Sequence, residues 1–289
     1  MIFEGASENF KTLLKNNVSS EFLAWYTTRT EKLAKVPSKK DLYLGYTLVA
    51  TKLDPVVANL DALGNSQLKD YLKKQQITTL EVARMHYLIT AIESNSDFYL
   101  PLVANIFQIA DKSELETFLK YLLVLPYAEN FKNVAVDALR TNITPVFDAL
   151  AYYNPYPSTY FSEDEWNQMF LKAAFMQRNL SYITEIDKMA NQKLAKIISD
   201  YAHERWKASR DIDPYFWRPV THFMNETILK DMQRLFESDN AVENKVATLC
   251  CYFSKNRKAQ ELLKANATWV ADIENNKLTW KTITLKETI

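Results

Sequence analysis

The residues that could do chemistry concentrate in one segment, residues 140–172, which reads RTNITPVFDALAYYNPYPSTYFSEDEWNQMFLK. Amide, guanidinium and phenol groups occupy positions where a simple helical solenoid would carry aliphatic side chains. A second dense cluster, YAHERW, follows at residues 201–206. Such groups hydrogen-bond polar molecules and neutralise anions, so they predict a binding site for a small polar or anionic ligand. No metal, nucleotide or nucleophile motif accompanies them, and the residues alone leave any reaction open.

One amide of this segment is out of place on its helix. The SEDE sequence predicts a helix over residues 162–177, because Ser162 can cap it, a glutamate follows three residues later and acidic side chains suit the first turn. Trp166 and Phe170 lie on one apolar arc of that helix, and Asn167 falls inside the arc. Burying a carboxamide without partners costs about 1 to 3 kcal/mol. We therefore expect Asn167 to have its partners either within the fold, such as a neighbouring backbone group, or in a ligand.

A guanidinium group is similarly misplaced on a second predicted helix, residues 191–207. Leu194, Ile198 and Tyr201 form an apolar stripe on it. The same projection places Arg205 on the centre line of that stripe. A guanidinium group that points toward a core must be paired. Its partner would be a carboxylate, several carbonyl groups or an anionic ligand, and the sequence leaves these alternatives open.

The loop that precedes the first of these helices is aromatic and rigid. Two prolines hold Asn154 and Tyr156 out of helical geometry and predict an extended segment with little conformational freedom. The tyrosines of the loop, which include Tyr160, offer apolar bodies with hydroxyl tips. Such side chains either plug the space between helices or form the wall of a pocket for a ring-bearing ligand. Both interpretations stay open.

His203 and Glu204 come closest to a general acid and base. Neighbouring side chains on a helix diverge by about 100°, and His203 projects to the solvent side, so the two would need an unusual pocket to converge on one substrate. We therefore expect no catalytic residue. The alternative is that the protein is an enzyme that uses His203 or Glu204. The three histidines, His86, His203 and His222, show no HExxH, HxH or HxxE spacing. Neither a metal site nor another cofactor is expected.

Composition excludes further classes of function. The chain has 289 residues but only three glycines, which leaves no material for a Gly-rich nucleotide loop. Basic and acidic residues balance at 35 each, so no overall field favours nucleic acid. Cys250 and Cys251 are adjacent in an apolar run, which predicts two buried thiols in a reducing compartment. No apolar run approaches the roughly 20 residues that cross a bilayer, and no signal peptide is recognisable. We therefore predict a cytoplasmic protein without direct membrane insertion.

Helical periodicity runs through almost the whole chain, with apolar residues at three- and four-residue spacing. Short connections predict antiparallel hairpins, formed by residues 80–93 with 97–110 and by residues 114–125 with 130–140. The predicted fold is all-α, an α-solenoid of stacked antiparallel helical hairpins of the HEAT type, although no repeat fixes its period. Polar residues predict the helix starts, at Ser38, Thr79, Ser113 and Thr144.

Domain boundaries are weakly marked. We expect one all-α solenoid over residues 1–275, and an alternative division gives an N-terminal subunit of residues 1–76 and a core of residues 77–275. A short irregular tail follows over residues 276–289. This tail is Thr-rich with alternating character, so it could also form a single strand.

Several motifs of the sequence, in one order, resemble the EboA family of bacterial proteins. They are LPxxExF, LRTN, NPYP, YF, WNQMxLKAxF, YAHERWxAxR and FWRPV, at residues 125–131, 139–142, 154–157, 160–161, 166–175, 201–210 and 216–220. The resemblance covers roughly the second half of the chain, whereas the first third agrees only in helical character. The candidate ligand-binding residues carried over by these motifs are Arg140, Asn142, Asn154, Tyr156, Tyr160, Trp166, Asn167, Gln168, Lys172, His203, Glu204, Arg205, Arg210 and Arg218.

The resemblance implies a protein of metabolite traffic without an assigned reaction. Members of the family are encoded beside a UbiA-like membrane prenyltransferase, a sugar-phosphate-cyclase-like enzyme and TIM-barrel-like enzymes. The expected function is therefore non-enzymatic binding or traffic of a small, polar or prenylated metabolite for a bacterial secondary-metabolite cluster. The alternative is a scaffold that docks these cluster enzymes at the inner membrane.

Asn167 and Arg205 belong to these motifs, and both stood out from their residue types alone. Their overlap with the family motifs predicts one polar-lined cavity where their helices meet the NPYP loop. Within it, Asn167 would bond ligand hydroxyls, Arg205 would supply positive charge and Trp166 would form part of the wall. A buried structural network is the alternative interpretation.

Overall fold

The fold is described for residue 3 and residues 5–283 of a computed structural model. Within those residues every regular element is helical, and the β contact found is an isolated antiparallel bridge between Val57 and Thr78. The all-α class predicted from the periodicity is confirmed. The helices group into two compact units, Met1–Phe161 (unit 1) and Ser162–Ile289 (unit 2). The domain boundaries expected at residues 76 and 275 stay predictions.

Unit 1 contains eleven α-helices among its described residues. They are α1 (Ala6–Asn17), α2 (Ser20–Lys35), α3 (Lys39–Leu48), α4 (Gln67–Lys74), α5 (Thr79–Ser94), α6 (Ser96–Ala104), α7 (Ile106–Ile109), α8 (Lys112–Lys120), α9 (Lys132–Ala138), α10 (Thr144–Ala151) and α11 (Tyr156–Tyr160). Short 3₁₀ turns lie between them at Val49–Thr51, Asp61–Leu63, Leu122–Val124 and Ala128–Phe131.

Helix α5 forms the centre of unit 1. It packs against α1, α2, α3, α6 and α8, and twelve of its sixteen residues are buried. A helix that is covered on all sides usually carries apolar side chains around its whole circumference. However, α5 also buries Glu81 and Arg84, which are 8% and 2% exposed. Ionic groups in such a position need partners from the neighbouring helices.

Buried tyrosines connect the segments of unit 1. Each donates its hydroxyl to a backbone carbonyl oxygen far away in sequence: Tyr26 to Ala83 (3.0 Å), Tyr46 to Glu114 (2.9 Å), Tyr87 to Asp41 (2.8 Å) and Tyr99 to Leu33 (2.9 Å). Burial raises the pKa of all four hydroxyls, so they stay neutral donors. These bonds satisfy both the phenol and the carbonyl groups inside the core.

Unit 2 contains seven α-helices among its described residues. They are α12 (Glu163–Phe175), α13 (Ile186–Met189), α14 (Gln192–Lys207), α15 (Glu226–Phe236), α16 (Ala241–Phe253), α17 (Arg257–Ala265) and α18 (Val270–Glu274), with 3₁₀ segments at Leu180–Tyr182, Pro214–His222 and Ala267–Trp269. The segment Pro214–His222 packs against both α14 and α16. Consecutive helices α15, α16 and α17 lie against one another.

The observed capping residues can be compared with the helix starts predicted from the sequence. Ser38 caps α3 and Ser162 caps α12, both as predicted. The start at Ser113 is wrong, because Asp111 caps α8 in a reciprocal capping box with Glu114. Thr79 is the first residue inside α5, whose cap is Thr78.

The end of the described chain is irregular. Residues 276–283 form turns, and Leu278, Trp280 and Ile283 are buried. The remainder of the predicted tail, residues 284–289, lies outside the described residues. Within the described residues, none of the helices combines the length and the hydropathy that a membrane span requires.

Candidate functional site

In unit 1, Asn154 anchors the turn of the NPYP motif. It is 2% exposed, and its Nδ2 donates to the carbonyl oxygens of Leu119 (3.0 Å) and Ala149 (3.1 Å). Its Oδ1 accepts from the backbone N–H of Tyr156 at 3.0 Å. The fold therefore supplies donors and acceptors for this buried amide.

Tyr156 plugs the space between helices of unit 1. It is fully buried, and its hydroxyl donates to the carbonyl oxygen of Ala128 at 2.8 Å. The extended geometry predicted for Tyr156 is wrong, because α11 begins at this residue and prolines fit a first helical turn, where no N–H is needed. Tyr160 lies 4.9 Å away between ring centroids, is half-buried, and burial raises its pKa.

The other two candidates of unit 1 lie on its surface. The side chain of Arg140 is 81% exposed and forms an ion pair with Asp137 at 2.9 Å. Asn142 is also exposed. Arg140 and Asn142 are therefore exposed on unit 1, whereas Asn154 and Tyr156 are buried in it.

In unit 2, Asn167 forms a reciprocal amide pair with Asn191. Asn167 Nδ2 donates to Asn191 Oδ1 at 3.2 Å, and Asn191 Nδ2 donates to Asn167 Oδ1 at 2.8 Å. Asn191 Oδ1 also accepts from the backbone N–H of Leu194 at 2.8 Å and so caps α14. The amide inside the apolar arc of α12 thus fixes the start of the neighbouring helix.

The remaining candidates on α12 divide between core and surface. Trp166 is 1% exposed and stacks on Phe170, with ring centroids 5.4 Å apart. Gln168 is exposed on the other side of the helix. Lys172 is half-buried, and desolvation lowers its pKa.

The side chain of His203 on α14 is 39% exposed and also contacts a buried carboxylate. It is half-buried, and its Nε2 lies 2.6 Å from Oδ1 of the buried Asp231. The hydroxyl of Ser199, also buried, donates to the other oxygen of that carboxylate at 2.5 Å. The carboxylate therefore stands between the serine and the histidine, which is not the order that activates a serine nucleophile. The contact with Asp231 holds one edge of the His203 ring against unit 2, while the rest of the ring stays open to solvent.

Three further candidates of unit 2 differ in exposure, and Arg218 is half-buried. Glu204 and Arg210 are exposed. Arg218 forms a two-point ion pair with Asp187, with N–O distances of 2.8 and 2.6 Å, and also donates to the hydroxyl of Tyr215 at 3.2 Å. Arg218 thus connects the 3₁₀ segment Pro214–His222 to α13.

Arg205 lies at a cavity of unit 2 and is half-buried, not pointed into the core. Its Nε and Nη2 both donate to the backbone carbonyl oxygen of Asp211, at 3.0 and 2.6 Å. The predicted need for a partner is confirmed, and carbonyl oxygen is the partner type found. The prediction that Arg205 points into the core is wrong. The reason is that α14 ends two residues later and its last turn faces the 208–213 loop.

We call this cavity, with a volume of about 270 Å³, the Arg205 cavity. Its lining consists of Ala174, Phe175, Gln177, Tyr201, Arg205, Asp211, Ile212, Asp213 and Phe216. Three of these side chains are aromatic and touch in series. The ring centroids are 5.0 Å apart between Phe175 and Tyr201 and 5.2 Å apart between Tyr201 and Phe216. The result is a continuous aromatic wall beside a guanidinium group.

The cavity also contains a carboxyl group with altered acidity. Burial raises the pKa of Asp213 to about 6, against a hydrogen bond from the backbone N–H of Tyr215 at 2.8 Å, which favours the ionised form. Near neutral pH this group therefore changes between a neutral donor and a charged acceptor. Together, Arg205 and Asp213 give the cavity one permanent and one switchable polar anchor.

Of the fourteen candidate residues predicted from the sequence, Arg205 lines this cavity. Phe175 and Asp213 also line it, but they were not among the candidates. Phe175 falls within a family motif, but it lies on the side of α12 opposite Trp166, where no site was predicted. Its side chain is 57% exposed. Asp213 comes directly before a proline, which marks it as a capping residue but not as a group whose pKa is shifted. The sequence also predicted one cavity in which the helices of Asn167 and Arg205 meet the NPYP loop of unit 1. That shared cavity stays a prediction.

The fold and this cavity define the class: an all-α protein with an aromatic and ionic recess. The family model described as metabolite traffic protein EboA matches residues 6–221, and the chain belongs to this family. The match begins far before the motifs at residues 125–220, and it includes every residue that lines the Arg205 cavity. Neither the curated proteins nor the solved structures contain a significant match to the chain.

Proposed function

We propose that the chain binds a small metabolite in the Arg205 cavity and carries it without changing it chemically. The ligand class that fits is a ring-bearing molecule with an anionic or carbonyl oxygen. Membership in a family of metabolite traffic supports handling of a metabolite. The cavity supports where the molecule would be held.

The observation that carries the proposal is the free edge of Arg205. A guanidinium group has five N–H donors, and two of those of Arg205 are used by the carbonyl oxygen of Asp211. The bond to Asp211 fixes the plane of the group, so the remaining donors keep one direction. A fixed guanidinium edge suits a carboxylate, phosphate or carbonyl oxygen.

The aromatic wall supports a ring-bearing ligand. Phe175 is 57% exposed although it lies against Tyr201. A large apolar side chain exposed at the mouth of a recess marks a surface that gains free energy when it is covered. A planar ring placed on Phe175 and Tyr201 would cover that surface while its polar oxygen reaches Arg205.

A binding role without catalysis fits the positions of the two residues considered for chemistry. Neither His203 nor Glu204 lines the Arg205 cavity, and His203 is engaged by Asp231. The cytoplasmic location, a HEAT-like stacking of hairpins and partnership with cluster enzymes such as a UbiA-like membrane prenyltransferase belong to this proposal. The side-by-side packing of α15, α16 and α17 is the observation that supports hairpin stacking.

The test is a calorimetric titration of the full chain with benzoate, a small planar ring that carries a carboxylate. We expect Phe175→Ala to weaken benzoate binding about tenfold, which corresponds to about 1.4 kcal/mol of lost contact. The matched control is Phe253→Ala, which removes a ring that is 49% exposed at the end of α16. Uncharged benzyl alcohol should bind more weakly than benzoate, because it cannot pair with the guanidinium group. Equal losses in both variants, or equal binding of both probes, would reject the proposal.

A further inference from the structure

A second recess lies in unit 1, far in sequence from the Arg205 cavity. It has a volume of about 280 Å³ and is lined by Tyr43, Leu44, Tyr46, Thr47, Ile106, Ile109, Ala110 and Glu114. We call it the Glu114 cleft. Its rim is apolar and open to solvent, since Leu44 is 41% and Ile109 is 54% exposed. One carboxylate therefore lies among otherwise apolar, aromatic and hydroxyl groups.

The carboxylate of Glu114 is only half satisfied. Its Oε2 accepts from the backbone N–H of Asp111 at 3.1 Å, as part of the α8 capping box. Its Oε1 is buried and accepts no hydrogen bond among the described residues. The nearest cation, Arg84 Nη2, lies 3.8 Å from Oε1, which is too long for a hydrogen bond. A buried acceptor in this state gains free energy from any donor that reaches it.

Arg84 does not compensate for this deficit. Its side chain is 2% exposed, its Nη1 donates to the hydroxyl of Ser113 at 3.0 Å, and its Nε has no partner among the described residues. The guanidinium group lies over the ring of Tyr46, 5.4 Å from the centroid. Tyr46 is itself held by a bond to the backbone carbonyl oxygen of Glu114 at 2.9 Å. Both members of the ion pair are therefore fixed at a distance where their charges attract but no hydrogen bond forms between them.

We propose that the Glu114 cleft binds an uncharged molecule with an apolar body and one hydroxyl group. Its O–H donates to Glu114 Oε1 after a shift of the side chain that turns this buried atom toward the cleft. The apolar body would cover Leu44 and Ile109. A neutral ligand is favoured because Arg84 and Glu114 already balance each other's charge. An ammonium group would leave a net positive charge in a buried region, at a high desolvation cost.

The test compares three six-carbon probes on the full chain by ligand-observed NMR titration. 1-Hexanol and dipropyl ether are isomers, and only the alcohol can donate a hydrogen bond. We expect 1-hexanol to bind about tenfold more tightly than the ether, the ratio expected for one hydrogen bond to a charged acceptor. Hexylammonium should bind more weakly than 1-hexanol. Equal affinity of the alcohol and the ether, or tighter binding of the ammonium probe, would overturn the proposal.

Two kinds of variant locate the binding. Ile109→Trp fills the rim and should weaken 1-hexanol binding about tenfold. The matched control Val36→Trp, at a site that is 61% exposed outside the cleft, should leave it unchanged. In Glu114→Gln the amide oxygen can keep the capping bond to Asp111, while the NH₂ group replaces Oε1 and cannot accept. The preference for the alcohol over the ether should then disappear. If Glu114→Gln does not fold, the pair Ile109→Trp and Val36→Trp still decides, and equal binding by those two variants contradicts the assignment.

Discussion

Asn167 and Asn191 show how one amide can specify where a neighbouring helix begins. Their reciprocal bonds of 3.2 and 2.8 Å leave Asn191 Oδ1 placed to cap α14. The polar side chain inside an apolar arc is therefore explained by the fold of unit 2. The sequence could indicate that Asn167 needs a partner, but not that a residue 24 positions later provides it.

We expect Asn167→Ala to lower the free energy of unfolding by about 2 kcal/mol, because the amide of Asn191 loses a buried partner. The measurement is chemical denaturation of the full chain followed by circular dichroism. Gln168→Ala, the exposed neighbour on the same helix, serves as the control and should change stability by less than about 0.5 kcal/mol. Similar values for the two variants would show that the amide pair does not stabilise unit 2.

The raised pKa of Asp213 implies that the stability of the fold depends on pH in a definite direction. Its pKa is about 6 in the folded protein and 3.8 without the fold, so the folded state holds the proton more tightly. Ionised Asp213 therefore destabilises the fold fully above about pH 6, and this penalty disappears as the pH falls toward 3.8. Asp213→Asn keeps a capping side chain and removes the charge.

For Asp213→Asn we expect a gain of roughly 1 to 2 kcal/mol at pH 7.5, after allowance for partial exposure. At pH 4.5 the gain should shrink to a fraction of that value. Thermal unfolding of both proteins at both pH values measures the difference. A gain of the same size at pH 4.5 and 7.5 would contradict the raised pKa.

At the scale of elements, side-chain caps explain which helix boundaries could be predicted. Ser162 with Glu165 defines the start of α12 locally, so four consecutive residues suffice to find it. The end of α8 at Lys120 has no such local signal, because the apolar run continues into the 3₁₀ turn Leu122–Val124. Packing decides that boundary, and packing is not visible in a short segment.

Close contact between α3 and α5 requires glycine at position 45. A Cβ built on Gly45 would overlap the hydroxyl and ring of Tyr87 on α5. Tyr87 is 2% exposed and bonded to the backbone carbonyl oxygen of Asp41, so its ring cannot move aside without losing that bond. Glycine, although unfavourable inside a helix, is thus needed where α3 approaches α5.

Gly45→Ala should lower the free energy of unfolding by roughly 1 to 3 kcal/mol through overpacking. This is opposite to the gain of up to about 1 kcal/mol that the same change gives in an open helix. Urea denaturation measures it, with the exposed Lys40→Ala on the same helix as control. A Gly45→Ala variant as stable as the native chain would show that α3 and α5 can separate freely.

At the scale of the whole molecule, the helical class and the family were accessible from the sequence, whereas the cavities were not. Periodicity reports the buried face of each helix, and the EboA motifs report relatedness. Phe175 shows the limit, since nothing in its residue type or spacing indicates that this exposed ring lines a cavity. Arg205 was found because a cation on an apolar stripe is anomalous in sequence. Glu114 gave no such signal, because a glutamate near a helix start is ordinary.

The central claim, that this chain carries a small metabolite in the Arg205 cavity, is tested most directly by native mass spectrometry. The full chain would be purified under non-denaturing conditions after incubation with a small-molecule extract of cells. We predict a complex one small molecule heavier than the chain, retained by Phe253→Ala and lost in Phe175→Ala. A bound species that survives Phe175→Ala, or a native chain that stays unliganded after incubation, would contradict the claim.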